Sequence, residues 1–82
     1  MEERLKQVVI DALKIRPSDY ADDLKAGDVA EWDSLGHVTL LQAVQKAFDV
    51  TFDMDDAIEI ESIEDLKRIL RRYVAARPSP LR

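Results

Sequence analysis

The chain has 82 residues, 46% of them hydrophobic and 35% charged, with two Gly and three Pro, a size and mix that fit one small folded domain and exclude a disordered or collagen-like polymer. It contains no cysteine, which excludes disulfide scaffolds, thiolate-bound zinc and a protein thiol nucleophile. The net charge of −5 conceals a segregation in which residues 17–66 hold fourteen acids against Lys25 and Lys46 while residues 67–82 hold six bases and no acid, a distribution that repels phosphate backbones over most of the chain and makes nucleic acid an unexpected partner.

The start, Met1-Glu2-Glu3-Arg4, has no apolar h-region, and no window approaches the ~18 uninterrupted apolar residues of a membrane span. A cytoplasmic protein without a membrane span is therefore expected. Leu5, Val8, Val9, Ala12 and Leu13 fall at i, i+3, i+4, i+7 and i+8, one face of an amphipathic helix opening near Glu2. Pro17 is expected to stop it. From Pro17 to Trp32 the chain lacks periodicity for longer than the ~12–15 residues usual in an unstructured connection. Leu24, Val29 and Trp32 give that stretch apolar anchors, which predicts an ordered loop crossing the molecule.

A second helix is predicted from Asp33 or Ser34 to Phe48, with Leu40, Ala43, Val44, Ala47 and Phe48 inward and Leu35, Val38 and Leu41 widening the stripe. Val50-Thr51-Phe52 is β-prone but too short to build a sheet. Asp53–Glu61, with Met54, Ala57, Ile58 and Ile60 among acids, supports one short helical turn. The last helix opens on Ser62 followed by Asp65, an [ST]-x-x-[DE] start signal. It buries Ile63, Leu66, Ile69, Leu70, Tyr73 and Val74 and ends near Ala76. The bases of the C-terminal end are expected near that helix's C-terminus, where cations favour the macrodipole. The predicted fold is all-α, with residues 1–76 as the domain and residues 77–82 as a flexible tail.

Ser34, at the first turn of the second helix, admits two readings. Ser and Asp are preferred caps because their oxygens accept from orphan N–H groups, and the same N–H groups and positive dipole end favour a phosphate attached to the hydroxyl. His37 lies one turn on, close enough to contact such a phosphate, or else is a solvated surface histidine; no Ser–His–Asp constellation exists to suggest nucleophilic catalysis. A calcium-loop frame starting at Asp53 places Ala57 at position 5 and Ile58 where Gly is required, which rejects an EF-hand and leaves no metal site. Gly36 inside a helix costs about 1 kcal/mol against Ala, which hints that bulk is unwelcome beside the hydroxyl or that the turn is loose.

Over residues 2–75, the first helix, the long loop, Asp33-Ser34-Leu35 opening the second helix, the Phe48-Asp49-Val50 exit and the Ser62-capped last helix together resemble the acyl carrier proteins. These are four-helix domains that hold acyl groups as thioesters on 4′-phosphopantetheine. The resemblance implies a four-helix bundle of that type with a long loop between helices 1 and 2 and a short helix 3. It implies that Ser34 is esterified to 4′-phosphopantetheine by a phosphopantetheinyl transferase, with Asp33 and Leu35 as matched surroundings and no catalytic activity of the chain's own. The thiol then belongs to the prosthetic group. The partners implied are that transferase and acyl-handling enzymes such as a ligase, synthase or acyltransferase, met briefly by a monomer, with Glu31, Trp32, His37, Asp55, Asp56 and Glu59 as the contact residues.

Departures from the family pattern refine the expectation. Carriers of fatty acid biosynthesis carry acids along the exposed face of the second helix, where this chain has Thr39, Gln45 and Lys46. A Leu-Gly pair ordinarily precedes the Asp-Ser-Leu, and here the residues are Val29-Ala30-Glu31-Trp32. The run Trp32 to Val38 looks more like the free-standing carriers of specialised lipid or polyketide-type pathways. In the family a long acyl chain retreats between helices, and Val38, Leu41, Ile58, Ile60 and Leu66 are expected to line that space. Gln42, standing where an apolar residue often lies, would have to be desolvated by an alkyl guest, so a small or polar cargo is expected. An aminoacyl or peptidyl carrier shares the fold and the serine. A small helical adaptor without a prosthetic group is the alternative from another class.

Overall fold

The computed structural model describes residues 1–76. They form α1 (Glu2–Leu13), a 3₁₀ turn (Pro17–Asp19), α2 (Ser34–Phe48), α3 (Met54–Glu59) and α4 (Ile63–Ala76), with no strand among the described residues. The all-α four-helix arrangement with a long first connection and a short third helix is as expected. The flexible tail expected at residues 77–82 lies outside the described residues.

In α1, Leu5, Val9 and Leu13 are buried together with Ile10, while Glu2 and Glu3 occupy the first turn, where the dipole favours acids. The helix ends at Leu13, ahead of the proline expected to stop it. Lys14 takes a left-handed backbone with φ 59°, and the Ile15 N–H reaches back to the Ile10 carbonyl at 3.2 Å. This Schellman-type turn sends Ile15 into the core. Pro17 instead opens the 3₁₀ turn, which the Arg16–Asp19 ion pair closes at 3.2 Å.

The loop is ordered, with Leu24 and Trp32 buried and Val29 half-buried. It is strapped to the start of α4, because the Ile63 N–H donates to the Leu24 carbonyl and the Ala26 N–H to the Glu61 carbonyl, each at 2.9 Å. Gly27, at φ +93°, donates to the Trp32 carbonyl at 3.0 Å, and the turn so closed delivers the indole to the core immediately before α2.

Leu40 and Val44 are the buried residues of α2, and the helix packs closely on α1. At 100° per residue, Leu35 and Val38 stand about 140° and 160° around the helix from Leu40. Both face solvent, at 75% and 52% exposure, rather than widening the inward stripe. In α3 the inward residues are Ala57, packed against the core, and Ile60 just beyond the helix. Met54 and Ile58 share an adjacent face that turns outward and are 78% and 68% exposed.

Ser62 starts α4 as expected. Its Oγ accepts the Asp65 N–H at 3.0 Å, and the Asp65 carboxylate accepts the Glu61 N–H at 3.1 Å. Ile63, Leu66, Ile69 and Leu70 are fully buried, Tyr73 is half-buried, and Val74 lies at the exposed margin of the stripe. The bases do not gather at the C-terminal turn, which holds none among the described residues. They line the flank of α4 and tie it to its neighbours: Lys67 to Asp22 and Glu2, Arg71 to Glu2, Arg72 to Asp56. The partners of Lys67 and Arg71 are exposed carboxylates, and ion pairs at a surface contribute about 0–1 kcal/mol each, so apolar burial carries the bundle and the ion pairs align its parts.

Candidate functional site

The site is built at the junction of loop and α2. Asp33, with extended backbone, is the N-cap, and its Oδ1 accepts the Gly36 N–H at 2.8 Å. Ser34 is thereby the first helical residue and not the cap, which removes the capping reading of this serine. Its side chain is exposed, and among the described residues its hydroxyl makes no hydrogen bond. The N–H groups of a helix's first turn lack intrahelical partners and carry the positive end of the dipole. Asp33 takes up one of them and leaves the surroundings of Ser34 suited to an attached anion.

The tightness of the turn explains Gly36. A Cβ there would run into the Glu31 carbonyl oxygen, with the Glu31 carbonyl carbon at 3.1 Å. Bulk at this position is excluded by the chain's own backbone, a different cause from the two suggested by sequence. Trp32, 1% exposed, anchors the turn from beneath. Its Nε1–H donates to His37 Nδ1 at 2.9 Å, and the two rings lie edge to edge and nearly coplanar, with an interplanar angle of 16°. His37 is consequently half-buried and not a freely solvated histidine. Burial holds its imidazole below the usual range, while the Glu61 carboxylate pulls in the opposite direction.

Ser34 opens onto a depression of about 490 Å³ whose walls include Trp32, His37, Ile58, Ile60 and Glu61. Besides the half-buried His37, the expected contact residues divide in three. Glu31, Asp55 and Glu59 are exposed. Trp32 is a core residue, contrary to its expected role as a surface contact, because its indole fills the space under the α2 start. Asp56 is engaged internally: its carboxylate accepts the Tyr73 hydroxyl at 2.6 Å and the Arg72 guanidinium at 2.9 Å. These two partners, Tyr73 first, hold it below the usual carboxylate range.

Two side chains of α2 differ from expectation. Gln45, expected on the outer face, is half-buried; its amide donates to the Leu41 carbonyl at 3.1 Å and accepts the Phe52 N–H at 2.7 Å, pinning the exit of the helix. Gln42 is exposed, so the polar amide expected to disfavour an alkyl guest does not face the interior, and the argument for a small or polar cargo falls with it. Val38 and Ile58, expected to line an interior space, face solvent, whereas Ile60 and Leu66 are buried. The exposed apolar residues Leu35, Val38, Met54 and Ile58 went unrecognised as surface. Sequence held a partial signal, since Met54 and Ile58 on one side and Ala57 and Ile60 on the other define two apolar faces of a helix too short to bury both.

Chemically, the arrangement offers a hydroxyl without a base. Nucleophilic serine needs an adjacent proton acceptor, and the nearest imidazole has its Nδ1 lone pair committed to Trp32. The hydroxyl can therefore receive a group delivered and activated by another protein. Among the described residues no cluster of His, Asp and Glu could hold a metal ion, and no helix is long and apolar enough to cross a membrane. Residues 3–70 match the protein-family model described as "Phosphopantetheine attachment site".

Proposed function

The chain belongs to the phosphopantetheine attachment family, and from that premise we propose that Ser34 bears the prosthetic group and that the loaded protein carries acyl groups to partner enzymes of a specialised pathway. Family membership itself gives a carrier with covalent 4′-phosphopantetheine, served by a phosphopantetheinyl transferase and acyl-handling enzymes. It displaces the adaptor without a prosthetic group. When attached, the group supplies the thiol that holds an acyl chain as a thioester.

One observation supports Ser34 above every other hydroxyl: it is exposed and unbonded at the first residue of α2 because Asp33 has taken the capping role. Leu35, 75% exposed, and the exposed carboxylate of Glu31 offer an approaching transferase an apolar and an acidic contact on either side. The hydroxyl proton must pass to a base of that enzyme, since this chain presents none. Acyl rather than aminoacyl cargo is supported by the apolar side chains of Ile58 and Ile60 in the wall of the adjoining depression. The specialised pathway is supported by the outer face of α2, where Thr39 and Lys46 stand exposed in place of acids typical of fatty-acid-synthesis carriers.

Co-expression with a broad-specificity transferase, followed by intact mass and peptide mapping, tests the central claim. The expected result is one phosphopantetheine increment mapping to Ser34 and lost in Ser34→Ala, whose helical circular dichroism stays unchanged. An increment that survives in Ser34→Ala overturns the assignment. Loading the product in parallel with fatty acyl and amino acid donors separates acyl from aminoacyl carrier.

A further inference from the structure

Resting on the reading of Ser34 as the attachment point, we propose that His37 is a hydrogen-bond donor to the phosphodiester of the prosthetic group, its imidazole set in the Nε2–H tautomer by the Trp32 indole. An indole nitrogen donates only, so the nitrogen it bonds at 2.9 Å, His37 Nδ1, carries the lone pair, and the single proton of the neutral ring sits on Nε2. The tautomer is thus fixed by a buried neighbour rather than left to solvent. The near-coplanar, edge-to-edge setting of the two rings, 6.1 Å between centroids and 16° between planes, and the burial of Trp32 also fix the direction in which Nε2 points relative to the helix.

His37 follows Ser34 by three residues in α2, a spacing that makes side chains neighbours on one face, and both line the same depression. Among the described residues Nε2 has no hydrogen-bond partner. The other ionisable groups around the depression are Asp33 and Glu61, both acids that repel a phosphodiester. A neutral donor beside Ser34 therefore offers compensation without becoming a permanent salt bridge, and an arm held this way stays free to swing out during docking.

The test uses the loaded 82-residue chain labelled with ¹⁵N-histidine. Nitrogen shifts are expected to report a lone pair at Nδ1 and a proton at Nε2 in both unloaded and loaded protein. On loading, exchange of the Nε2 proton with water should slow about tenfold, the protection a charge-assisted hydrogen bond confers. The ³¹P resonance of the loaded protein should move in His37→Phe and return toward the wild-type position in His37→Gln, which restores an N–H donor. Unchanged Nε2–H exchange on loading overturns the proposal, as does a proton found on Nδ1, and both readouts use the wild-type chain, so they stand even if a variant fails to fold. Mass mapping of the same sample keeps the two claims apart: an increment away from Ser34 defeats the attachment reading, whereas a loaded Ser34 with unchanged exchange defeats the role of His37 alone.

Discussion

Gly36 shows how a single backbone contact decides what a helix can accept. Alanine is favoured over glycine inside a helix by about 1 kcal/mol, so propensity alone predicts that Gly36→Ala stabilises the protein. Overpacking a tight site costs about 1–3 kcal/mol, and here the obstacle is the Glu31 carbonyl, a backbone group that cannot rotate away. The clash should win. Gly36→Ala is expected to lower stability by about 1–2 kcal/mol in urea unfolding and to slow loading by the transferase, because Glu31 to Asp33 must shift and Ser34 moves with them. A variant more stable than wild type would refute the account. The Asp33-Ser34-Leu35 signature was readable as a motif, but which oxygen caps the helix was not, since Ser and Asp are comparable caps and only their backbone angles separate the roles.

Among the elements, α3 has the least helix of its own, and six residues cannot hold a helix in water without tertiary contacts. Its tether to α4 is specific. The Tyr73 hydroxyl donates to Asp56 at 2.6 Å and accepts the Asp53 N–H at 2.7 Å, with its ring edge-on to Phe52 at 5.1 Å. Tyr73→Phe keeps the ring and removes both bonds, so a loss of about 1 kcal/mol is expected, together with faster hydrogen exchange at the amides of Met54–Glu59 and little change in α1. Because the bond holds the Asp56 carboxyl below its usual range, its contribution is in place at neutral pH and disappears as the solution is acidified through that lowered value. The variant should accordingly lose less stability on acidification than wild type. A short helix among acids is legible in the residue pattern, but not which of two apolar faces turns inward, nor that a tyrosine twenty residues from Asp53 fastens it.

For the whole molecule, the decisive property is where the charge lies once the chain is folded. The basic flank of α4 is largely consumed by Glu2, Asp22, Asp56 and Asp65, leaving the exposed acids of the loop and α3 as the surface field near Ser34. Complementary charge of this kind governs association rate and partner choice more than affinity. Enzymes of general fatty acid elongation, matched to acids along the second helix, would meet Thr39, Gln45 and Lys46. Two or three missing rim ion pairs at about 0.5 kcal/mol each correspond to a five- to tenfold loss. Purified elongation enzymes should therefore use this loaded carrier with a kcat/KM about five- to tenfold below that for their own, and equal efficiency would refute the assignment to a dedicated pathway. Periodicity, composition and the start signals at Asp33 and Ser62 determined by themselves that the chain is helical, where its four helices run and which serine stands at a helix start, because those features depend on local backbone and side-chain preference. Only the tertiary structure decided that Asp33 and not Ser34 is the cap, that Trp32 lies in the core with its proton committed to His37, and that Leu35, Val38, Met54 and Ile58 face solvent. The cap turns on backbone angles at two adjacent residues that are comparable caps, whereas the burial of Trp32 and the exposure of the four apolar side chains turn on which face of an element meets another, a matter of packing between residues far apart in the chain that a one-dimensional pattern does not contain.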